Sequence, residues 1–156
     1  MNTSPIGPLE VRAGERGVTH ILAEEASMQA AVTEAETQLE EYFAGKRTEF
    51  SVKLSPEGTP FQKAVWAAMR RIPYGKVVTY GQLAAAIGRP TACRAVANAV
   101  GKNPILIVQP CHRVVAANGL GGFSSGVERK RTLLRLEGVE IAENSPFSEK
   151  FIFTFP

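Results

Sequence analysis

The segment Gln109-Pro110-Cys111-His112-Arg113 sets a thiol beside an imidazole and a guanidinium. Cationic neighbours of this kind favour the thiolate and lower a cysteine's pKa from its ordinary value of about 8.5, which makes the sulfur a nucleophile. A Cys-His dipeptide also arises wherever two such residues merely pack, so a third group has to decide. Glu137 is that group. It follows Leu133 by four residues and Leu134 by three, on the inward side of a predicted amphipathic helix. It also falls in the last helical turn, where the dipole disfavours an anion. A carboxylate placed there calls for a cationic or hydrogen-bonding partner, and His112 with Arg113 is the obvious pair. Glu-His-Cys then reads as a thiol-activating relay. Adjacent side chains on an extended chain point to opposite faces, so His112 reaches Cys111 only through a bend or a bridging water.

The rest of the composition narrows the chemistry further. With 156 residues, 44% hydrophobic and 21% charged, the chain suits one globular domain or two small subdomains. Disorder, collagen-like repeats and coiled coil are excluded. No apolar run approaches the roughly 20 residues that cross a bilayer, so no membrane role is expected. Met1-Asn2-Thr3-Ser4-Pro5 carries no secretory signal, and the expected location is the cytoplasm. There is no aspartate, which removes every Asp-dependent mechanism. Only Cys93, Cys111, His20 and His112 could serve as soft metal ligands, at no metal-binding spacing, so neither a metal nor a cofactor is expected. The two cysteines read as free thiols.

Charge is distributed unevenly. Residues 1–57 hold 5 Lys/Arg and 10 Glu, residues 58–127 hold 8 Lys/Arg and no acidic residue, and residues 128–156 hold 5 of each sign. Seventy residues without a carboxylate attract polyanions, nucleic acid first among them, although a solvated basic face without a partner fits the same count.

The positioning elements are legible in the punctuation. Residues 7–11 and 18–22 alternate as short strands around Gly14-Glu15-Arg16-Gly17, a hairpin. Met28, Val32, Ala35, Leu39 and Tyr42/Phe43 recur at helical spacing, with Gly45 as the stop. Residues 46–58 form a connection. Thr59-Pro60-Phe61-Gln62 is a capping box opening a helix with Phe61, Val65, Ala68, Met69 and Ile72 on one face. Pro73-Tyr74-Gly75-Lys76 ends it in a turn. Thr79-Tyr80-Gly81-Gln82 opens a second helix, closed by Gly88. After Arg89-Pro90, Thr91 is expected to cap a third, Ala92 to Val100. Two short helices and a tight turn suit a helix-turn-helix, and equally an αα-hairpin used for packing alone. Arg94 favours the former, because a cation in a helix's first turn is disfavoured unless a polyanion docks there. Cys93 reads as a small packing residue and His20 as a surface or packing residue on its strand. Ile105-Leu106-Ile107-Val108 reads as a buried strand leading into the reactive segment, and Ser125-Gly126-Val127-Glu128 as a third capping box.

Taken together, Asn103-Pro104, Pro110-Cys111-His112-Arg113-Val114-Val115 and Gly122-Phe123-Ser124 resemble the O6-alkylguanine-DNA alkyltransferases. The likeness extends over residues 60–138 through Pro73-Tyr74-Gly75, Thr79 to Ala84, Arg94-Ala95-Val96 and Leu136-Glu137-Gly138. It implies an α+β fold, with an N-terminal strand/helix subdomain over 1–57 and a mostly helical, winged helix-turn-helix-like domain over 58–156. It implies irreversible, single-turnover transfer of an alkyl group from O6 of guanine in double-stranded DNA to Cys111, with O4 of thymine left open. His112 would deprotonate the thiol through a water, oriented by Glu137. Tyr80 would donate to the guanine ring, and Asn103 would brace the turn beside the site. The Ser124 N–H would hold O6, the carbonyls of Cys111 and Val114 would read the exocyclic amine, and Phe123 would stack. Arg94, beside Thr91 and Ala92, would fill the gap left by a flipped nucleotide. A monomer, with several copies along DNA also conceivable, is implied. Gln109 departs from the pattern, standing where an aliphatic residue is usual, as does Phe123 where tyrosine is common. The loop from Ala116 to Gly122 is compact, and the apolar tail 139–156 is expected to pack back on the core. A silent damage sensor would lack Cys111, a transcription factor would leave Cys111 and Glu137 unexplained, and a cysteine hydrolase would leave the basic stretch unexplained.

Overall fold

Alternating apolar residues make the opening hairpin. In the computed structural model, which describes residues 4–23 and 34–156, β1 (Leu9–Gly14) and β2 (Gly17–Ala23) pair antiparallel with a register shift at Arg12/Ala13. Leu9, Val11, Val18 and Ile21 point into the core. Gly17 has φ 136°, and a Cβ there would stand 2.8 Å from the Lys53 carbonyl oxygen, so glycine is required. Of the following predicted helix, Met28 and Val32 lie outside the described residues. The described part, α1 (Glu34–Phe43), buries Ala35, Leu39 and Tyr42. Gly45 follows it at φ 74°.

Pro104–Val108 belongs with residues 1–57 in one compact unit. The predicted strand over Ile105–Val108 does not form. Ile105 makes one isolated parallel bridge to Ile21, and the chain then turns, with Ile107 at φ 74°. Ile105, Leu106 and Ile107 are nonetheless all buried. An apolar run reports burial; extension needs a ladder, whereas here Ile21 N–H bonds Pro104 O, Leu106 N–H bonds Ile21 O, and Val108 N–H turns back to Leu106 O.

The second unit comprises Gly58–Asn103 and Gln109–Pro156. Both expected capping boxes close reciprocally: Thr59 with Gln62 opens α2 (Pro60–Met69), and Thr79 with Gln82 opens α3 (Tyr80–Ala86). Trp66 joins the buried face of α2 and donates its Nε1–H to Ala99 O in α4 (Cys93–Gly101) at 2.9 Å. That helix begins later than expected. Ala92, not Thr91, occupies the N-cap, without a side-chain cap, because the turn closed by Ala92 N–H to Arg89 O holds Thr91 outside the helix. Cys93 is exposed, not packed.

A parallel pair, β3 (Val78–Thr79) with β4 (Val114–Val115), joins distant parts of the chain. The third capping box is absent. Gly126, at φ 102°, takes the N-cap of α5 (Val127–Leu136) with no side-chain cap, while the Ser125 carbonyl accepts from Arg129. The tail returns as expected: Val77 exchanges backbone bonds with Phe151 and Phe153, and Phe147 and Phe151 pack with Val77, Val115, Leu120, Leu134 and Val139. The chain is thus α+β, and no helix among the described residues is long and apolar enough to cross a membrane.

Candidate active site

Glu137 sits just past the end of α5 with its side chain fully buried, and four donors converge on its carboxylate. His112 Nε2 lies 2.7 Å from Oε2, Arg113 Nε 2.8 Å from Oε1 and Arg113 Nη2 2.9 Å from Oε2. The Gly75 backbone N–H completes the set at 3.1 Å. The hydrogen bonds from His112 and Arg113 and the guanidinium charge hold the carboxyl well below the usual carboxylate range despite its burial. Arg113 also donates to Ile72 O at 2.7 Å and packs over the Tyr74 ring. The Pro73-Tyr74-Gly75 turn therefore does more than end α2. Gly75 turns at φ 80°, and a Cβ there would come within 3.3 Å of the Glu137 carbonyl oxygen.

His112 is fully buried, and burial outweighs the pull of Glu137 to keep its pKa below the ordinary value. The pair is therefore a neutral imidazole donating Nε2–H to a carboxylate. Nδ1 is left with its lone pair and no protein partner.

Cys111, His112 and Arg113 form a single 3-10 turn rather than the end of a strand. That turn supplies the bend the dipeptide needed. The structure corrects the expectation for the thiol itself. Burial pushes Cys111 up to about 11, only partly offset by a hydrogen bond from Asn103, the charge of Lys130 and backbone N–H groups. Desolvation outweighs the cationic neighbours because Cys111 is buried in the wall of a pocket. A thiol of this kind is neutral at rest and needs a base.

The pocket is a cavity of about 210 Å³ lined by Tyr80, Val100, Gly101, Cys111, Phe123 and Ser124, among others. It is smaller than the roughly 300–1,000 Å³ usual for drug-sized ligands and suits one flat ring system. Tyr80 is partly buried, and burial beside Cys111 raises its pKa, so it stays a phenol donor. The loop beside it needs Gly121, whose φ of 76° strains any side chain and where a Cβ would lie 3.1 Å from the Ala116 backbone nitrogen. Val114 is buried behind the pocket, and Asn103 contacts the sulfur. Arg94 and Thr91, both exposed, and the half-buried Ala92 stand at the start of α4, whose later residues line the cavity.

Lys130 is the residue the sequence reading missed. It is fully buried, donating Nζ–H to Val114 O at 2.7 Å and Gly122 O at 3.0 Å, and burial pulls its pKa down to about 8. It binds the reactive segment to the loop over the pocket. The signal was present: Lys130 precedes Leu133 by three residues and Leu134 by four, the same apolar face that singled out Glu137. Among the described residues, no cluster of three or more His, Cys or acidic side chains could hold a metal ion.

Residues 60–139 match the family model described as the DNA-binding domain of 6-O-methylguanine DNA methyltransferase, and residues 2–56 match its ribonuclease-like domain. The chain belongs to this family. A methylated-DNA–protein-cysteine methyltransferase of Methanosarcina acetivorans is 47% identical over 147 residues, covering 86% of this chain and 94% of the relative. One from Mycobacterium tuberculosis is 45% identical, covering 86% and 88%. The crystal structure of Mycobacterium tuberculosis OGT in complex with DNA superposes with a TM-score of 0.79 at 44% identity, covering 88% of this chain and 89% of that one. S. pombe Atl1, in complex with damaged DNA containing O6-carboxymethylguanine, gives 0.55 at 31% identity, covering 64% of this chain and 99% of that one. Gln109 stands immediately before Pro110-Cys111. It is fully buried and bonded to Asn103 on one side and Arg70 on the other.

Proposed function

We propose that this chain repairs DNA by direct reversal, moving an alkyl group from O6 of guanine in double-stranded DNA onto Cys111, once and irreversibly. The observation that carries this reading is a buried thiol on the floor of a ring-sized cavity, followed directly by an imidazole whose far nitrogen is fixed by a buried carboxylate. Neutral His112 accepts the thiol proton at Nδ1 through a bridging water, and Glu137 stabilises the imidazolium that results. The thiolate attacks the alkyl carbon opposite the C–O bond. An S–C bond forms, the C–O bond breaks, and its electron pair goes to the guanine, which leaves as the better leaving group for the proton or hydrogen bond from Tyr80. The thioether has no route back, so the protein turns over once.

The remaining residues read and hold the base. Lys130 occupies one lone pair of the Val114 carbonyl and leaves the other to accept from the exocyclic amine, as does the Cys111 carbonyl. The Ser124 N–H holds O6, Phe123 stacks, and Asn103 braces the sulfur. The target atom is inside the duplex stack, so the nucleotide must be flipped. α3 and α4 act as a helix-turn-helix with Arg94 entering the opened step. The carboxylate-free stretch over 58–127 supplies the attraction to phosphates. A monomer in the cytoplasm, where a free thiol stays reduced, fits this role. The alternative of a silent damage sensor has no use for Cys111.

The test is intact-mass and peptide analysis after mixing the protein with an oligonucleotide containing O6-methylguanine. One methyl on Cys111 and one equivalent of restored guanine are expected. Repaired DNA with unchanged protein mass would refute the reading.

A further inference from the structure

Gln109 is a fully buried amide, and each end of it is committed. Arg70, exposed at the end of α2, places Nη1 2.5 Å from Gln109 Oε1. A guanidinium has donors only, so it dictates that the oxygen of the Gln109 amide faces it. Nε2 is thereby turned inward, where it lies 2.8 Å from Asn103 Oδ1. With its own oxygen taken, Asn103 must present Nδ2 on its other side. Nδ2 lies 2.7 Å from the Gln109 carbonyl oxygen, and the Asn103 side chain hydrogen-bonds Cys111. Three planar groups in a row thus have only one self-consistent orientation, fixed at one end by the Gln109 carbonyl, which only accepts, and at the other by a permanent cation at the surface, which only donates.

We propose that Gln109 and Arg70 are positioning residues for Cys111, locking the Asn103 amide with an N–H toward the sulfur. An aliphatic residue at position 109 would leave Oδ1 of Asn103 without its donor and the amide held only by the bond from Nδ2 to the residue-109 carbonyl oxygen, so that its N–H is less firmly fixed toward the nucleophile. The locked N–H favours the charged form of the sulfur over the neutral one, where burial otherwise resists ionisation. The inference rests on Cys111 being the acceptor, and neither Gln109 nor Arg70 touches the reacting atoms.

The experiment measures the pH dependence of Cys111 alkylation by iodoacetamide, in which the thiolate displaces iodide, and in parallel of methyl uptake from an O6-methylguanine oligonucleotide. Gln109→Leu preserves volume and removes the relay; Arg70→Met removes its outer end at an exposed site that leaves the fold intact. Each is expected to move the iodoacetamide midpoint upward by about one pH unit, so that alkylation below the midpoint slows about tenfold. In the double variant Arg70→Met should add nothing to Gln109→Leu, because the chain is already cut. A residue that only supports the fold would lower melting temperature and leave the midpoint in place. An unchanged midpoint in folded Gln109→Leu overturns the proposal, and so does a full additional shift from Arg70→Met in the double variant, which would mark a bare field effect. A wild-type protein that takes up no methyl while its iodoacetamide midpoint still follows the variants would overturn the functional reading and leave the relay standing.

Discussion

Replacing Glu137 by glutamine tests the relay at its anchor. All four groups around the carboxylate are donors: His112 Nε2–H, two N–H groups of Arg113 and the Gly75 amide. The amide offers one acceptor oxygen and brings two donors of its own, so it cannot satisfy them. Arg113, only 6% exposed, would keep its charge without a counter-ion. Removing one partner of a buried pair costs about 3–5 kcal/mol. For a chain of this length each 1 kcal/mol lowers the melting temperature by about 2–4 °C, so a fall of about 6–20 °C is expected. The arrangement least bad for Arg113 points the amide oxygen at the guanidinium and the amide N–H at His112 Nε2. His112 then becomes an acceptor at Nε2 and must carry its proton on Nδ1, the nitrogen that has to act as base. Alkyl transfer at neutral pH should fall by about 10²–10⁴, the usual contribution of a general base. Single-turnover kinetics on O6-methylguanine DNA, with melts on the same samples, separate the two effects. Part of the rate should return as pH climbs toward the Cys111 value of about 11, where the thiol ionises unaided. At the acid end, the wild-type carboxyl is held below its unfolded value, so its stabilisation is present above about pH 4.3 and fades as pH falls through the folded pKa. The glutamine variant lacks that dependence. A folded Glu137→Gln protein with wild-type rate and pH profile would refute the relay and leave Glu137 a structural anchor.

Arg94→Ala should slow repair of duplex DNA far more than reaction with free O6-benzylguanine, since a free base needs no flipping; equal losses on both substrates would contradict the assigned role. Cys111→Ala should turn a nearly flat stability profile in alkaline solution into a rising one, as read from urea unfolding at pH 7.5, 9 and 10. The thiol's folded pKa of about 11 lies above its unfolded value of about 8.5, so its contribution to stability is lost as pH rises between them. Lys130, at about 8 in the fold against about 10.4 unfolded, contributes the opposite slope, because the folded state sheds its proton first. In the wild type the two slopes nearly cancel; without the thiol only the rising limb of Lys130 remains, and a profile that stays flat would show that Lys130 is not desolvated as the structure has it.

The elements that could be read from the residues are those whose signal is local. Thr59/Gln62 and Thr79/Gln82 close their capping boxes because both partners lie within one turn and nothing longer-ranged competes. Ser125 and Glu128 repeat the pattern and fail, because Gly126 adopts a φ of 102° that carries the serine away from the helix axis. Ile105–Val108 failed as a strand for a different reason. Burial on all sides gives the same apolar run whether the backbone is extended or turning, and only its partner, Ile21, distinguishes the two. The pairing of Val78–Thr79 with Val114–Val115 left no trace in either segment, since two residues are too few for a period.

Glu137 was legible because it broke a pattern, an anion on an apolar face in the wrong turn of a helix. Lys130 breaks the same pattern on the same face, and the two share one physical logic. Neither charge is paired with the other. Each is compensated separately, Glu137 by Arg113 and His112, Lys130 by the Val114 and Gly122 carbonyls. Both sets of contacts clamp the segment that contains Cys111, from the His112/Arg113 side and from the Val114 side. A helix face that buries a cation and an anion seven residues apart, without joining them, is therefore a better pointer to a reactive segment than either charge alone. What it cannot convey is the state of the thiol. Neighbours in sequence argued for a lowered pKa, yet desolvation depends on how completely the pocket encloses the sulfur, a property of the whole fold. The consequence favours the proposed chemistry: a sulfur that stays protonated at rest, and on that mechanism loses its proton only to His112, is shielded from adventitious electrophiles and oxidants. A protein with a single turnover to spend gains most from that restraint.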